Sequence, residues 1–182
     1  IPKICVPIIE ATKEAVIKAA ENMRGVPADL VEWRADRFED VEDAEKVKEV
    51  LASLRKALCE TPLLFTFRTE DEGGERAITA EGYIALNKAV IESGQADLID
   101  IQLLAGAEDV IAYAHRYGVK AVASSHDFYR TPAREEIVAR LRKMQELGAD
   151  IVKIAVMPQS KRDVLALLAA TEEMSRNYDK TP

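Results

Sequence analysis

Six short apolar runs alternate with six longer amphipathic segments along the 182 residues of the chain. The apolar runs cover residues 4–8, 30–34, 63–68, 98–103, 120–125 and 151–155. Several are almost continuously apolar, which is typical of strands that are buried on both faces. The segments between them have helical periodicity and cover residues 12–23, 41–58, 79–92, 110–117, 131–147 and 160–176. Consecutive βα units predict a parallel sheet with right-handed crossovers.

Two α/β architectures satisfy this pattern, a (β/α)8 barrel and an open doubly wound sheet. Neither a GxGxxG motif nor a Walker motif follows the first predicted strand, which disfavours the nucleotide-binding version of the doubly wound sheet. No linker, low-complexity tract or long repeat divides the chain. We therefore predict one α/β-barrel domain over residues 1–182.

The composition of the chain limits the kinds of molecule that it can bind. The formal net charge of −7 argues against nucleic-acid binding, which usually needs a basic face. Cys5 and Cys59 each stand alone in an apolar context, so the sequence predicts two buried, reduced thiols and no metal site. No run is long enough for a membrane span, and the first residues lack the features of a signal peptide. We expect a cytoplasmic protein that acts on a small molecule.

Polar side chains occur where the predicted strands end, which is where the catalytic residues of α/β barrels lie. Glu32 and Arg34 share one face of the second strand, because side chains alternate along a strand. The later strands contribute further polar residues, which are Arg68, Asp100, Gln102, His126 and Lys153. Each has an ordinary structural interpretation as well, such as an ion pair for an arginine or a hydrogen-bonded loop position for His126. The acidic run 70–72 is predicted to be a solvated loop tip.

Lys153 is the hardest of these residues to explain structurally, because it lies between Val152 and Ile154 in an apolar strand. Such a lysine either extends to the surface or points into the barrel. Inside a barrel, desolvation and neighbouring cations favour the neutral amine, which attacks carbonyl carbons. The pattern alone leaves two roles open, a Schiff-base nucleophile and a structural ion-pair partner.

Four segments of the chain together resemble the motifs of type I 3-dehydroquinate dehydratases. They are EWRAD (32–36), FTFR (65–68) with EGG (72–74), SHDF (125–128) with TP (131–132), and KIAVMP (153–158). These segments occur in the family's order and cover nearly the whole chain. The resemblance implies a (β/α)8 TIM-barrel fold, of which about six βα units are present in this sequence.

The resemblance also implies an activity, the dehydration of 3-dehydroquinate to 3-dehydroshikimate in the shikimate pathway of aromatic amino acid biosynthesis. It implies a homodimer that uses neither metal nor organic cofactor. Lys153 matches the family's Schiff-base lysine, and His126 matches its general acid/base. Glu32 matches the acid that orients and tunes this histidine at the substrate site. Arg34 and Arg68 match arginines that bind the substrate.

Three features depart from the family's pattern. Pro7 lies where some members carry serine, and Gln102 lies where the pattern Asp-x-Glu is frequent. The sequence stops at Pro182, before the family's Met-rich strand, its third arginine and a closing loop with serine and glutamine. We therefore expect a domain that is incomplete at its C-terminus, a physical protein that continues further, and activity that belongs to the longer chain.

Two alternatives to the dehydratase stay open at this point. One is another Schiff-base barrel lyase, such as a class I aldolase that acts on a phosphorylated sugar. That enzyme would need a phosphate site near the later strands, and no glycine-rich phosphate loop is present. The other is a catalytically impaired or inactive barrel fragment, which the early end of the sequence and Gln102 favour.

Overall fold

The computed structural model describes residues 3–180, which form a single sheet of parallel strands with a helix after each strand. The strands β1 to β6 are Cys5–Ile8, Leu30–Arg34, Leu63–Thr66, Leu98–Gln102, Lys120–Asp127 and Ile151–Val156. The helices α1 to α6 are Lys13–Asn22, Ala44–Leu58, Ala80–Ser93, Ala107–Arg116, Arg134–Glu146 and Lys161–Asn177. Two short 3₁₀ helices follow β2 and β3, at Ala35–Arg37 and Glu70–Glu72.

The strands pair in their sequence order, from β1 to β6. An open doubly wound sheet would reverse its strand order at a switch point, and this sheet has no reversal. The sequential order is that of a (β/α)8 barrel, so the predicted barrel-type fold with six βα units is confirmed. Within residues 3–180, no helix combines the length and the apolar character that crossing a membrane requires.

The two faces of the sheet have different surroundings. Residues such as Trp33, Phe65 and Ile99 point outward and are buried in the main apolar core that contains the helix residues. The opposite face lines the inside of the curve, where Leu30, Leu64, Leu98 and Val122 form a small apolar cluster. Because side chains alternate along a strand, the polar residues two positions further along these strands also point into this interior.

One strand is longer than the sequence predicts. β5 continues to Asp127 because it pairs with β6 over the whole end of that strand, with His126 opposite Ala155 and Asp127 opposite Val156. His126 is therefore held on a regular strand and is not a loop residue. This placement gives its ring a fixed direction, which a catalytic acid/base needs.

A short repeat that the sequence analysis did not detect sets the strand register. An Ala-Asp pair precedes each even-numbered strand, and the aspartates are Asp29, Asp97 and Asp150. Each aspartate makes two hydrogen bonds to one residue at or next to the start of the preceding odd-numbered strand. Its backbone N–H donates to the carbonyl oxygen of that residue, and its carboxylate accepts the N–H of the same residue. The partners are Ile4 (2.9 and 2.8 Å), Leu63 (3.0 and 2.8 Å) and Ala121 (2.9 and 2.8 Å).

The repeat also fixes which side chains of the even-numbered strands point into the interior. The third residue after each repeat aspartate points into the interior, and these three residues are Glu32, Asp100 and Lys153. Alternate strands of a barrel contribute side chains to a common layer. The repeat therefore brings two carboxylates and the candidate nucleophile into one layer of the interior.

The repeat aspartate before β6 makes stability depend on pH. Burial raises the pKa of Asp150, but hydrogen bonds from the Ala121 N–H and from His115 outweigh it and hold this pKa below its usual value of 3.8. A carboxyl with a depressed pKa in the folded state stabilises the fold above the unfolded-state pKa, and this contribution is lost as the pH falls through the folded-state value.

We expect Asp150→Asn to lower the free energy of unfolding at pH 7 by about 1 kcal/mol, because this pair is partly exposed. The difference from the unsubstituted protein should shrink between pH 5 and pH 3, as the native carboxylate becomes protonated. Urea unfolding at several pH values measures it. A difference that stays constant over this range would show that the carboxylate's charge does not contribute.

The end of α2 contains a strained residue. Cys59 has φ 53° and ψ −115°, and the N–H of Thr61 donates to the carbonyl of Leu58 at 3.0 Å. This is the first central position of a type II′ turn, which glycine occupies without strain.

We expect Cys59→Gly to raise the free energy of unfolding by about 1 kcal/mol, measured by urea unfolding. Cys59→Ala removes the same thiol but keeps the strain, so an equal gain with alanine would refute the explanation.

Candidate active site

The candidate nucleophile points into the curve of the sheet from β6. Lys153 lies opposite Ser124 in the β5–β6 register, and its Nζ is 3.9 Å from Oδ2 of Asp100. Its side chain is 39% exposed, so the amine is less desolvated than its apolar neighbours in the sequence suggest. The structure is compatible with both roles that the sequence left open, because the lysine points inward and also has an ion-pair partner.

Asp100 is the centre of a buried polar network. Its Oδ1 accepts a hydrogen bond from Ser124 Oγ at 2.7 Å and lies 2.9 Å from Nη2 of Arg68. Nη1 of Arg68 donates to the same Ser124 hydroxyl at 2.9 Å, which closes a ring of three side chains. Asp100 and Ser124 are completely buried, and Arg68 is 3% exposed. Part of the predicted substrate-binding capacity of Arg68 is therefore already used inside the protein.

The partner of His126 is not the one that the sequence analysis predicted. His126 Nδ1 is 2.9 Å from Oε2 of Glu72, whereas Glu32 accepts a hydrogen bond from Thr66 Oγ1 at 2.7 Å. Glu32 points from β2 toward the neighbouring β3, and the 3₁₀ helix Glu70–Glu72 brings Glu72 back over the end of β5. The prediction that this acidic run is a solvated tip is wrong for Glu72, whose side chain is 18% exposed.

Two glycines allow the loop with Glu72 to fold back. A Cβ on Gly74 would lie 1.8 Å from the carbonyl oxygen of Arg68, and a Cβ on Gly73, at φ +81°, would lie 2.4 Å from the Phe128 ring. Phe128 itself stacks on His126, with ring centroids 6.3 Å apart and an interplanar angle of 17°. The Gly-Gly pair after Glu72 was the signal in the sequence that this loop turns inward.

Arg34 is oriented by a buried aspartate. Its Nε and Nη2 bind the two carboxylate oxygens of Asp36 at 2.8 and 2.9 Å, and Asp36 has no exposed surface. The hydrogen bond with Asp36 raises the pKa of Arg34, burial opposes it, and the charges of Asp36, Glu32 and Asp100 raise it further. This planar pair leaves the other edge of the guanidinium available for an anionic or hydroxyl group.

The contacts of Gln102 explain why a neutral amide fits at this position. It is completely buried, its Oε1 accepts from the Thr69 N–H at 2.9 Å, and its Nε2 donates to Thr69 Oγ1 at 2.9 Å. Thr69 immediately precedes the Glu70–Glu72 helix, so this amide anchors the loop that carries Glu72. The amide thus holds the loop and leaves no polar atom of its own unsatisfied.

Cys5 and Cys59 are both exposed, so the prediction of two buried thiols is wrong. Partial burial of the Cys5 thiol raises its pKa to about 11, the charge of Glu32 raises it further, and the charge of Lys153 lowers it. Cys5 is therefore protonated at neutral pH and lies within electrostatic reach of both residues. In residues 3–180, no group of three or more His, Cys, Asp or Glu side chains could hold a metal ion.

Two cavities lie at opposite edges of the sheet. One of about 320 Å³, at the carboxyl edge, is lined by Ile9, Ala11, Asp36, Arg37, Glu75 and Arg76. Another of about 660 Å³ opens at the amino edge and includes Asp29, Leu98 and Lys120 in its lining. None of the candidate catalytic residues lines the larger cavity, so its size does not make it the active site. The candidate catalytic residues lie instead on the interior face of the sheet, toward the carboxyl ends of the strands, where the active sites of α/β barrels are found.

Comparisons with known proteins agree with this geometry. A family model described as type I 3-dehydroquinase matches residues 4–182. The 3-dehydroquinate dehydratase of Clostridioides difficile (strain 630) is 51% identical over 184 aligned positions, which span 100% of this chain and 72% of that protein. The chain belongs to the type I 3-dehydroquinase family. The predicted enzyme class, 3-dehydroquinate dehydratase, is thereby confirmed.

Solved structures of type I dehydroquinases have the same fold. The structure from Clostridium difficile has a TM-score of 0.96 at 50% identity, over 100% of this chain and 73% of that one. The structure from Enterococcus faecalis has a TM-score of 0.96 at 47% identity, over 100% of this chain and 77% of that one. A 3-hexulose-6-phosphate synthase, at a TM-score of 0.64 and 20% identity, shares the fold alone. The chain thus spans about three quarters of the length of these dehydroquinases.

In this dehydroquinase, the geometry predicts that Glu72 and Glu32 act differently. We expect Glu72→Gln to lower kcat about tenfold or more with little change in KM, because the carboxylate beside the His126 imidazole is lost. Glu32→Gln is the matched control, since Glu32 contacts Thr66, and it should change KM more than kcat. The rate is followed as the absorbance of the conjugated product. A larger fall in kcat for Glu32→Gln would restore the pairing expected from sequence.

Proposed function

We propose that the protein dehydrates 3-dehydroquinate to 3-dehydroshikimate, in the shikimate pathway, through a Schiff base on Lys153. The observation that carries this proposal is an inward-pointing lysine whose Nζ is 3.9 Å from a buried carboxylate, at the carboxyl edge of a type I dehydroquinase barrel. The related structure from Clostridium difficile is described as containing covalently modified comenic acid, which supports covalent chemistry in this family.

The first half of the reaction forms the electron sink. The Lys153 ammonium and the substrate ketone give a protonated imine and one molecule of water, so that the positive charge stays on nitrogen. The cationic imine withdraws electrons from the adjacent carbon and acidifies its C–H bond. His126, held on β5 beside Glu72, takes this proton and leaves a neutral enamine.

The second half expels the hydroxyl group. The enamine returns its electron pair, the C–O bond to the β-hydroxyl breaks, and His126 gives its proton to the departing oxygen, so that water leaves. Hydrolysis of the conjugated imine then frees the product and Lys153. Glu72, at 2.9 Å from His126 Nδ1, stabilises the imidazolium that exists between the two proton transfers.

Substrate binding is assigned to the side chains around this centre. The free edge of the Arg34 guanidinium suits a carboxylate or a diol, because Asp36 fixes its plane. Glu32, next to Thr66 in the same layer, accepts hydrogen bonds from substrate hydroxyls. Arg68 contributes the N–H groups that Ser124 and Asp100 do not use. No metal or organic cofactor enters this scheme.

The family resemblance extends the proposal to the assembly. A single barrel domain over residues 1–182, a homodimer and a cytoplasmic location stay predictions. These predictions rest on the family resemblance. Size-exclusion chromatography with light scattering tests the homodimer directly.

The covalent step has a direct test. With 3-dehydroquinate present, borohydride should reduce the imine and add a fixed mass to the peptide that contains Lys153. Lys153→Ala should abolish both this adduct and turnover. Lys120→Ala, at the start of β5 on the opposite edge of the sheet, is the matched control and should keep both. An adduct that maps to another lysine, or turnover by Lys153→Ala, would contradict the proposal.

A further inference from the structure

We propose that Asp100 acts on the Schiff-base nitrogen itself: its Oδ2 holds the nitrogen of Lys153 and is the counter-ion of the protonated imine. This inference rests on the proposed role of Lys153. It assigns a function to a side chain that makes no contribution to the reaction scheme above, and it explains an unusual feature of the buried network.

The unusual feature is a buried carboxylate oxygen without a partner. Among the described residues, Oδ2 of Asp100 has no hydrogen bond, although Asp100 is completely buried and its Oδ1 has two partners. A buried acceptor without a partner is costly, and native structures contain few of them. The cationic group that faces Oδ2 is Lys153 Nζ at 3.9 Å, about 1 Å beyond the usual length of a hydrogen bond.

The network prevents Asp100 from turning this oxygen elsewhere. Ser124 and Arg68 both hold Oδ1, and they come from β5 and from the end of β3, on the two sides of β4. A carboxylate that is held at one oxygen from both sides has a fixed plane, so the direction of Oδ2 is fixed as well. Asp100 and Lys153 also occupy the same position of the Ala-Asp repeat, which places them in one layer of the interior.

The other acids of the site are already engaged. Glu72 pairs with His126 and lies 3.6 Å from Arg68, and Glu32 accepts from Thr66. Of the three, Asp100 is the one that combines a fully buried oxygen without a partner and an ion-pair distance to the Lys153 amine.

The chemistry explains why this oxygen is kept free. An ammonium has three N–H bonds, whereas a protonated imine has one, and that single N–H lies in the plane of the C=N bond. Oδ2 accepts this N–H, which fixes the rotation of the imine and therefore the direction of the adjacent C–H bond toward His126. The carboxylate also favours the cationic imine over the neutral one, and only the cation is a strong electron sink.

The central test is Asp100→Asn in the full chain. The amide keeps the shape and an oxygen for Ser124 and Arg68, but it removes the negative charge that faces Lys153. We expect the fraction of Lys153 that borohydride traps as the imine at steady state to fall about tenfold or more at pH 8 and to recover partly at pH 6. The alkaline limb of the kcat profile should move to lower pH by at least about one unit.

The other titratable groups around Lys153 are left unchanged in both variants of this experiment. Cys5 on β1, Glu32 on β2 and His126 on β5 line the same interior, with Arg68 after β3. Asp109→Asn is the matched control, because it makes the same substitution at an exposed position of α4, the helix that follows β4. It should keep the trapped fraction and the pH profile of the unsubstituted protein.

A measurement on the unsubstituted protein keeps the inference testable if Asp100→Asn does not fold. Protein labelled with ¹⁵N-lysine and incubated with product should give an imine ¹⁵N resonance that stays in the protonated range up to mildly alkaline pH. A nitrogen that loses its proton near neutral pH would overturn the inference.

The outcomes separate this inference from the proposed function. If Asp100→Asn traps as much imine as the unsubstituted protein at both pH values, Asp100 is not the counter-ion. If activity falls equally at every pH while the trapped fraction stays normal, Asp100 is only structural, and the inference is again wrong. If the adduct of the unsubstituted protein maps to a lysine other than Lys153, the proposed function itself fails.

Discussion

The buried ion pair between Asp100 and Arg68 joins β4 to the end of β3, and Ser124 connects both residues to β5. Burying two charges is expensive, and the cost is offset only where hydrogen bonds satisfy the groups that leave water. Ser124 provides this compensation by donating to the acid and accepting from the base. Removal of one partner from such a pair typically costs about 3–5 kcal/mol, because an uncompensated charge is left behind. The identities of these three residues therefore depend on one another.

The same pair determines what surrounds the candidate nucleophile. It directs one oxygen of Asp100 toward Lys153 and keeps the Arg68 guanidinium within 3.6 Å of Glu72, the partner of His126. The loop with Glu72 has further anchors behind it. Gln102 binds Thr69, and Asp36 accepts the N–H groups of Arg68 and Glu75, both at 3.3 Å. The acid/base pair is thus positioned by buried side chains that do not touch a substrate.

The departures from the family pattern have a local basis in this structure. Gln102 replaces a frequent glutamate, and its amide bonds the backbone N–H and the hydroxyl of Thr69. A neutral residue at this point adds no negative charge next to the buried pair, so the balance between Asp100 and Arg68 does not change. Pro7 lies opposite Glu32 in the β1–β2 register.

The sequence by itself determined the fold type and the positions from which the chemistry acts. Apolar runs at regular spacing specify parallel strands, and alternation along a strand specifies that Glu32 and Arg34 share one face. The Ala-Asp repeat is a further local signal, which the sequence analysis missed, because each aspartate bonds the N–H and the C=O of one residue of the neighbouring strand. These features depend on neighbours along the chain or on one adjacent strand, so a linear pattern is enough to predict them.

Only the tertiary structure decided which charged groups become partners. Glu32 and Glu72 are both acids near a strand end, and no linear pattern shows that the chain folds back after Arg68 and brings Glu72 to His126. The same holds for the length of β5, which depends on its pairing with β6, and for Arg68, which is a buried ion-pair member before it is a substrate ligand. The physical reason is that electrostatic and hydrogen-bond energies depend on distances of a few ångströms between residues far apart in sequence. Those distances are fixed only when the strands, helices and loops have packed together.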